Sequence, residues 1–115
     1  YVECQITDVA GIVARALTTV RVNDGRWHTV TCIRDGIANE LQVYIDRLLN
    51  VTVSDGTTSS LANNSSMRLG RFNNGPYRFT GDYDFALLAN FVIDPTDQPI
   101  SLPYYEPFTT DPGFT

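Results

Sequence analysis

The stretch "VNDGRWHTVTCIRDG", Val22 to Gly36, holds the only Trp of the chain, its only His and one of its two Cys. A turn signal stands at each end, Asn23-Asp24-Gly25 and Asp35-Gly36, and a strand-like run lies between. On a strand Trp27 and His28 point to opposite faces. His28 then shares a side with Val30 and Cys32, and Trp27 with Thr29, Thr31 and Ile33. A catalytic His needs a nucleophile or an orienting carboxylate near it in space. The sequence offers no nucleophile elbow or related motif. The stretch therefore reads as a core strand with a packed Trp and a hydrogen-bonded structural His.

Outward from it, the dominant period is two. Leu41, Val43 and Ile45 alternate with Gln42, Tyr44 and Asp46. Leu49, Val51 and Val53 alternate with Asn50, Thr52 and Ser54, and a third series runs Tyr83, Phe85, Leu87, Ala89, Phe91, Ile93. Such alternation describes strands with one face on a core. No stretch shows a helical period. Further turn signals stand at Asp55-Gly56 and at Asn73-Asn74-Gly75-Pro76. Strands are expected at about 1–7, 12–22, 26–34, 39–46, 48–54, 66–72 and 81–93. That pattern gives an all-β antiparallel two-sheet sandwich over 1–95, with a polar loop at 55–65 and an extended Pro/Thr-rich tail at 96–115.

The 115 residues suffice for one domain. No apolar run is long enough to insert in a membrane, and no signal-peptide pattern is present. The chain starts without Met and inside a strand-like run, so a mature or partial piece of a longer polypeptide is expected. Eight basic and thirteen acidic residues give a net charge of −5, which argues against a nucleic-acid partner. All the basic residues are Arg and none is Lys, which we attribute to compositional bias in the source.

Cys4 and Cys32 are either two inert thiols or one disulfide; the disulfide is preferred and implies an oxidising compartment. In a simple meander of the first three strands they would stand two strand spacings apart, roughly 9–10 Å. A disulfide needs Cα atoms within about 7 Å. A sandwich with this bridge thus requires a non-meander connection.

The runs "DGRWHTVTCIRDG", "LQVYID", "MRLGRF" and "FTGDYDFALLANFVI" together resemble the laminin G-like, concanavalin A-like jelly roll. The positions that carry the likeness are Asp24, Gly25, Trp27, His28, Val30, Arg34, Asp35, Gly36, Ile45, Asp46, Leu69, Gly70, Phe79, Gly81 and Asp84. The Cys4/Cys32 pair resembles that of a bacterial secreted subgroup. The resemblance implies an extracellular, non-catalytic module that binds carbohydrate or a protein surface. It also implies further strands, supplied by an upstream segment or a neighbouring chain. Arg47 stands where the family usually has Gly, so a turn without φ > 0 at that position is expected.

Among candidate sites, the loop "RFNNGPYRFTGD" at 71–82 joins Asn amides, Arg guanidinia and aromatic rings, a mixture suited to sugars. Asn73, Asn74, Tyr77 and Arg78 are its ligand-binding candidates. Asp82 and Asp84, at i and i+2, form the best acid–base pair. Strand neighbours of that kind lie about 7 Å apart at Cβ, wider than the about 5–5.5 Å of retaining glycosidases. Some glycosidases of this fold carry Glu-x-Asp-x-x-Glu; here the stretch reads Asp82-x-Asp84-x-x-Leu87, without Glu. The runners-up are accordingly a fragment of a glycan-active enzyme and a structural subunit of an extracellular assembly. The resemblance also allows Ca2+ at the rim, where Asp24, Asp35, Asp55, Asn73 and Asn74 offer oxygens without EF-hand spacing; no ligand set is assigned. Asn50, Asn63 and Asn64 begin N-x-S/T acceptors for glycosylation.

Overall fold

A computed structural model describes residues 1–63 and 78–97 of the chain. Among the described residues five strands form in order: β1 (Glu3–Thr7), β2 (Val13–Leu17), β3 (Val30–Asp35), β4 (Glu40–Ile45) and β5 (Leu48–Ser54). Their pairings are antiparallel. β1 and β2 make a two-stranded sheet, and β3, β4 and β5 make a three-stranded one in that order. No α-helix occurs among the described residues, only a short 3₁₀ turn at Pro95–Asp97. The architecture is two facing antiparallel sheets, in keeping with the expected all-β sandwich.

Alternation decides which faces meet. Cys4 pairs with Ala16 and Ile6 with Ala14, so one face of the first sheet carries small apolar groups. The small alanines let this ribbon approach the second sheet closely. There Leu41, Val43 and Ile45 of β4 are buried, and the core joins them to Cys4, Ala14 and Ala16. Val2, Ile6, Val22, Val51 and Val53 pack at its margin. Val43 and Ala16 are fully buried, which places the centre of the core between β2 and β4.

The disulfide spans this gap. Cys4 of β1 is joined to Cys32 of β3, with Cα atoms 6.3 Å apart, across a sequence separation of 28. The expected non-meander connection is what permits it: the chain folds over after β2, and β3 opens the second sheet. Closing a loop of this size stabilises the fold by roughly 3–4 kcal/mol in the chain-entropy model.

Three buried polar residues pin the connections. Asp8, 4% exposed, accepts from the N–H groups of Ala10 and Ile12 on one carboxylate oxygen and from those of Thr58 and Ser59 on the other. It thereby ties the β1–β2 turn, where Gly11 takes φ 84°, to the loop after β5. Burial pushes its carboxyl up, but the backbone donors prevail and hold it below the usual carboxylate range. The Thr18 hydroxyl accepts from Val2 N–H at 2.8 Å and donates to the Val20 carbonyl at 2.9 Å, closing the end of β2. Asp55 accepts from Arg34 Nε at 2.7 Å and from the Thr57 N–H and hydroxyl, while Arg34 Nη2 also reaches Thr57 Oγ1 at 3.0 Å. The Thr57 hydroxyl, with the guanidinium beside it and against the pull of burial, keeps Asp55 below its ordinary value.

Several expectations need correction. The second strand ends at Leu17 rather than at 22, because the chain turns at Thr18. The third begins at Val30 rather than at 26, because side-chain contacts hold 24–29 as a loop. In β5 a bulge leaves Asn50 as an extra residue between the pairs Val43–Val51 and Tyr44–Leu49. Leu49 therefore faces away from Val51 and Val53 and is exposed, contrary to the simple alternation. Asn50 spans the sheets instead: its Oδ1 accepts from Thr19 N–H at 2.8 Å, and its Nδ2 donates to Thr19 Oγ1 at 3.2 Å. The two-residue β4–β5 turn has φ 51° at Asp46 and 72° at Arg47, so Arg47 does take the left-handed conformation expected to be avoided. Positive φ at both central residues is the requirement of a type I′ hairpin. Finally, no strand forms over 81–93. Alternation makes a strand only where a neighbouring backbone offers a ladder, and no described strand pairs with this stretch. The strand expected at 66–72 and the tail from 98 onward lie outside the described residues.

Candidate functional site

The opening motif becomes a three-residue cluster. His28 sits just before β3 with its side chain 15% exposed. Its Nδ1 lies 2.6 Å from Asp46 Oδ2, and its Nε2 lies 2.7 Å from Asp24 Oδ1. Asp24 also accepts from Arg26 N–H at 3.0 Å, which shapes a tight turn through Gly25 at φ 78°. Asp46 uses its other oxygen to accept from Thr29 N–H at 2.9 Å, and its own N–H donates to the Thr29 carbonyl at 2.9 Å. Thus the Asp46 turn and the residues entering β3 are bonded by three groups. An ionised carboxylate only accepts hydrogen bonds, so a ring with a carboxylate on each nitrogen must donate from both and is an imidazolium. The Asp46 bond first, then the Asp24 bond, raise His28 above the ordinary imidazole value, against the opposing effect of burial. The His28 bond is also the main cause that holds Asp24 below the usual carboxylate range.

With both ring nitrogens held, His28 has no free lone pair in this state. A histidine–aspartate pair is two-thirds of a hydrolytic triad, but a base needs a free lone pair aimed at a nucleophile. Here the second nitrogen is engaged by Asp24. The hydrogen-bonded structural histidine is as expected. The packed tryptophan is not: Trp27 is 43% exposed and stands on the loop rather than in the core.

The remaining candidates are more scattered. Asn73, Asn74, Tyr77 and Asn64 lie outside the described residues. Arg78 is exposed. Next to it Phe79 and Tyr83 form a tilted ring pair, centroids 5.0 Å apart, and are 53% and 52% exposed. Asp82 and Asp84 flank Tyr83 and are exposed too, but without a strand the expected common face has no basis. Beyond them Leu87, Leu88, Ala89, Asn90 and Phe91 line a shallow open apolar depression. The candidate acceptor Asn50 holds Thr19 through both ends of its amide, whereas Asn63 is exposed and donates to the Leu61 carbonyl at 3.3 Å.

Of the oxygens considered for Ca2+, those of Asp24, Asp35 and Asp55 are each held by different partners, and Asn73 and Asn74 lie outside the described residues. Asp24 is held by His28, Asp35 accepts from the Ile37 and Ala38 N–H groups in its turn, and Asp55 pairs with Arg34. Among the described residues no three His, Cys, Asp or Glu side chains group to hold a metal ion. Sequence reasoning missed the buried hub Asp8 and the Arg34–Asp55 pair, both of which join residues distant in the chain. It had Asp46 within a motif without its partner.

A family model described as the concanavalin A-like lectin/glucanases superfamily, of laminin G type, matches residues 3–97. The chain belongs to this superfamily. No curated protein and no solved structure matches it. Laminin G-like domains are typically non-catalytic and bind carbohydrate or protein ligands, while the superfamily also includes glycosidases. The Asp24–His28–Asp46 cluster gives this laminin G-like chain a physical reason for three of the positions that carry its sequence resemblance.

Proposed function

We propose that this laminin G-like chain is a non-catalytic, extracellular binding or adhesion module that recognises carbohydrate or a protein surface within a larger secreted or cell-surface protein. The observation that carries the reading is the family match over residues 3–97. The Cys4–Cys32 disulfide supports an oxidising compartment. For the ligand, support comes from the exposed rings of Phe79 and Tyr83 beside Arg78, Asp82 and Asp84. A ring of this kind packs on the apolar face of a sugar, and charged or amide groups around it bind hydroxyls. A glycan-active enzyme would instead need carboxylates converging on one sheet face.

A glycan array probed with the full chain tests this reading. Binding to at least one glycan class is expected, and Phe79→Ala or Tyr83→Ala weakens it roughly five-fold each, about 1 kcal/mol per ring. No signal above background for any glycan removes the carbohydrate reading.

One observation favours a second reading, a structural role in which another polypeptide segment completes the sheets. Phe85, Leu87 and Phe91 are exposed on a stretch that alternates like a strand. A segment added beside it would supply the missing ladder. Size-exclusion chromatography with light scattering separates the two: self-association of the chain, lost in Phe85→Ser/Phe91→Ser, speaks for assembly, and a monomer at all concentrations speaks against pairing between copies.

A further inference from the structure

We propose that Asp24, His28 and Asp46 form a proton-dependent clamp: a doubly protonated imidazole closes the turn that carries Trp27, and loss of one proton opens its Asp24 arm. The proposal starts from geometry. Both ring nitrogens face carboxylate oxygens, at 2.6 and 2.7 Å, and each contact needs an N–H on the ring side. A neutral imidazole has one N–H. Its other nitrogen would then present a lone pair to a carboxylate oxygen at hydrogen-bond distance, which is repulsive. One arm must part.

The two arms are unequal. The Asp46 side chain is 23% exposed and accepts from Thr29 N–H, while the Asp46 backbone N–H donates to the Thr29 carbonyl; the Asp24 side chain is 45% exposed and bonds otherwise only within its own turn. The proton therefore stays on Nδ1, facing Asp46, and the Asp24 arm opens. Trp27 lies inside the segment that this arm closes. The other charged side chains within residues 23–29 and the Asp46–Arg47 turn are those of Arg26 and Arg47, whose guanidinium groups oppose a further positive charge. The carboxylates in direct contact outweigh them.

The direction follows from which partner titrates. His28 is raised in the fold, so its contribution is complete below the ordinary value of 6.5 and is lost as pH rises through the folded value. Asp24 is lowered, so its contribution is complete above the ordinary value of 3.8 and is lost as pH falls through its own folded value. The clamp is closed between these limits and opens on the alkaline side.

Because the chain has one His and one Trp, both ends of the device are read without ambiguity. The imidazole 15N and 1H resonances of the full chain are followed from about pH 5 to about pH 9, with Trp27 emission measured in parallel. The expected midpoint lies above 6.5, the neutral form carries its proton on Nδ1, and Trp27 emission changes with the same midpoint. Asp46→Asn lowers the midpoint more than Asp24→Asn does. Asp24→Asn also flattens the emission change, since an amide donates to the freed nitrogen. A wild-type midpoint at or below 6.5, a proton on Nε2 in the neutral form, or Trp27 emission that stays flat through the histidine titration overturns the proposal.

Discussion

Residues 40–54 and residues 81–93 carry the same signal, apolar side chains at every second position, and they end in different states. In the first, Leu41, Val43 and Ile45 are buried between two sheets and every residue of β4 has a partner on each side. In the second, Tyr83, Phe85, Leu87 and Phe91 are exposed and no strand forms. Side-chain period describes what a segment is able to bury. Whether it becomes a strand depends on a second backbone that offers N–H and C=O groups in register. β4 has two such neighbours in the described residues, and 81–93 has none.

The largest expected effect comes from cutting the same side chain in the two regions. Leu41→Ala should cost about 2–5 kcal/mol, by lost transfer energy and a cavity, whereas Leu87→Ala should stay within about 0.5 kcal/mol. Urea denaturation of the two variants checks this. Equal losses would break the contrast.

Next is the disulfide. Reduction should lower stability by roughly 3–4 kcal/mol in the chain-entropy model, read from thermal unfolding with and without a thiol reductant. The loss should be accompanied by loosening between the β1–β2 ribbon and the β3–β5 sheet, which the bridge joins. A change of less than about 1 kcal/mol would mean that the two layers hold each other without it.

This contrast also marks how far the sequence is legible. The five described strands are all expected from period and turn residues, with ends shifted where side chains intervene at Thr18 and at Asp24–Thr29. The bulge was not legible, because a period-two count has no means of seeing an inserted residue such as Asn50. Nor was the hub at Asp8, which serves N–H groups some fifty positions away and has no local motif beyond an Asp before a Gly turn. His28 was read as structural because no nucleophile motif accompanies it. Its two carboxylate partners needed the fold, since Asp46 is brought to it only by the β3–β4 pairing.

The smallest expected effect concerns the turn whose geometry was misread. Arg47 sits at φ 72°, where glycine is free of the Cβ penalty. Arg47→Gly should raise stability by about 0.5–1 kcal/mol, since relief of the left-handed backbone exceeds the added freedom of the unfolded chain. It should leave the His28–Asp46 contact in place, visible as an unchanged histidine titration. Denaturant midpoints at constant m-value check the gain, and a loss would show that the Arg47 side chain contributes more than its backbone costs.

The most direct test of the whole account is amide hydrogen exchange of the full chain, resolved by peptide. Residues 30–54 should exchange only through global unfolding, while 81–93 should exchange at rates near those of an unprotected backbone. Protection of 81–93 to the level of β4 would contradict the account, because it would mean that the alternating segment has found its ladder and belongs to the same core.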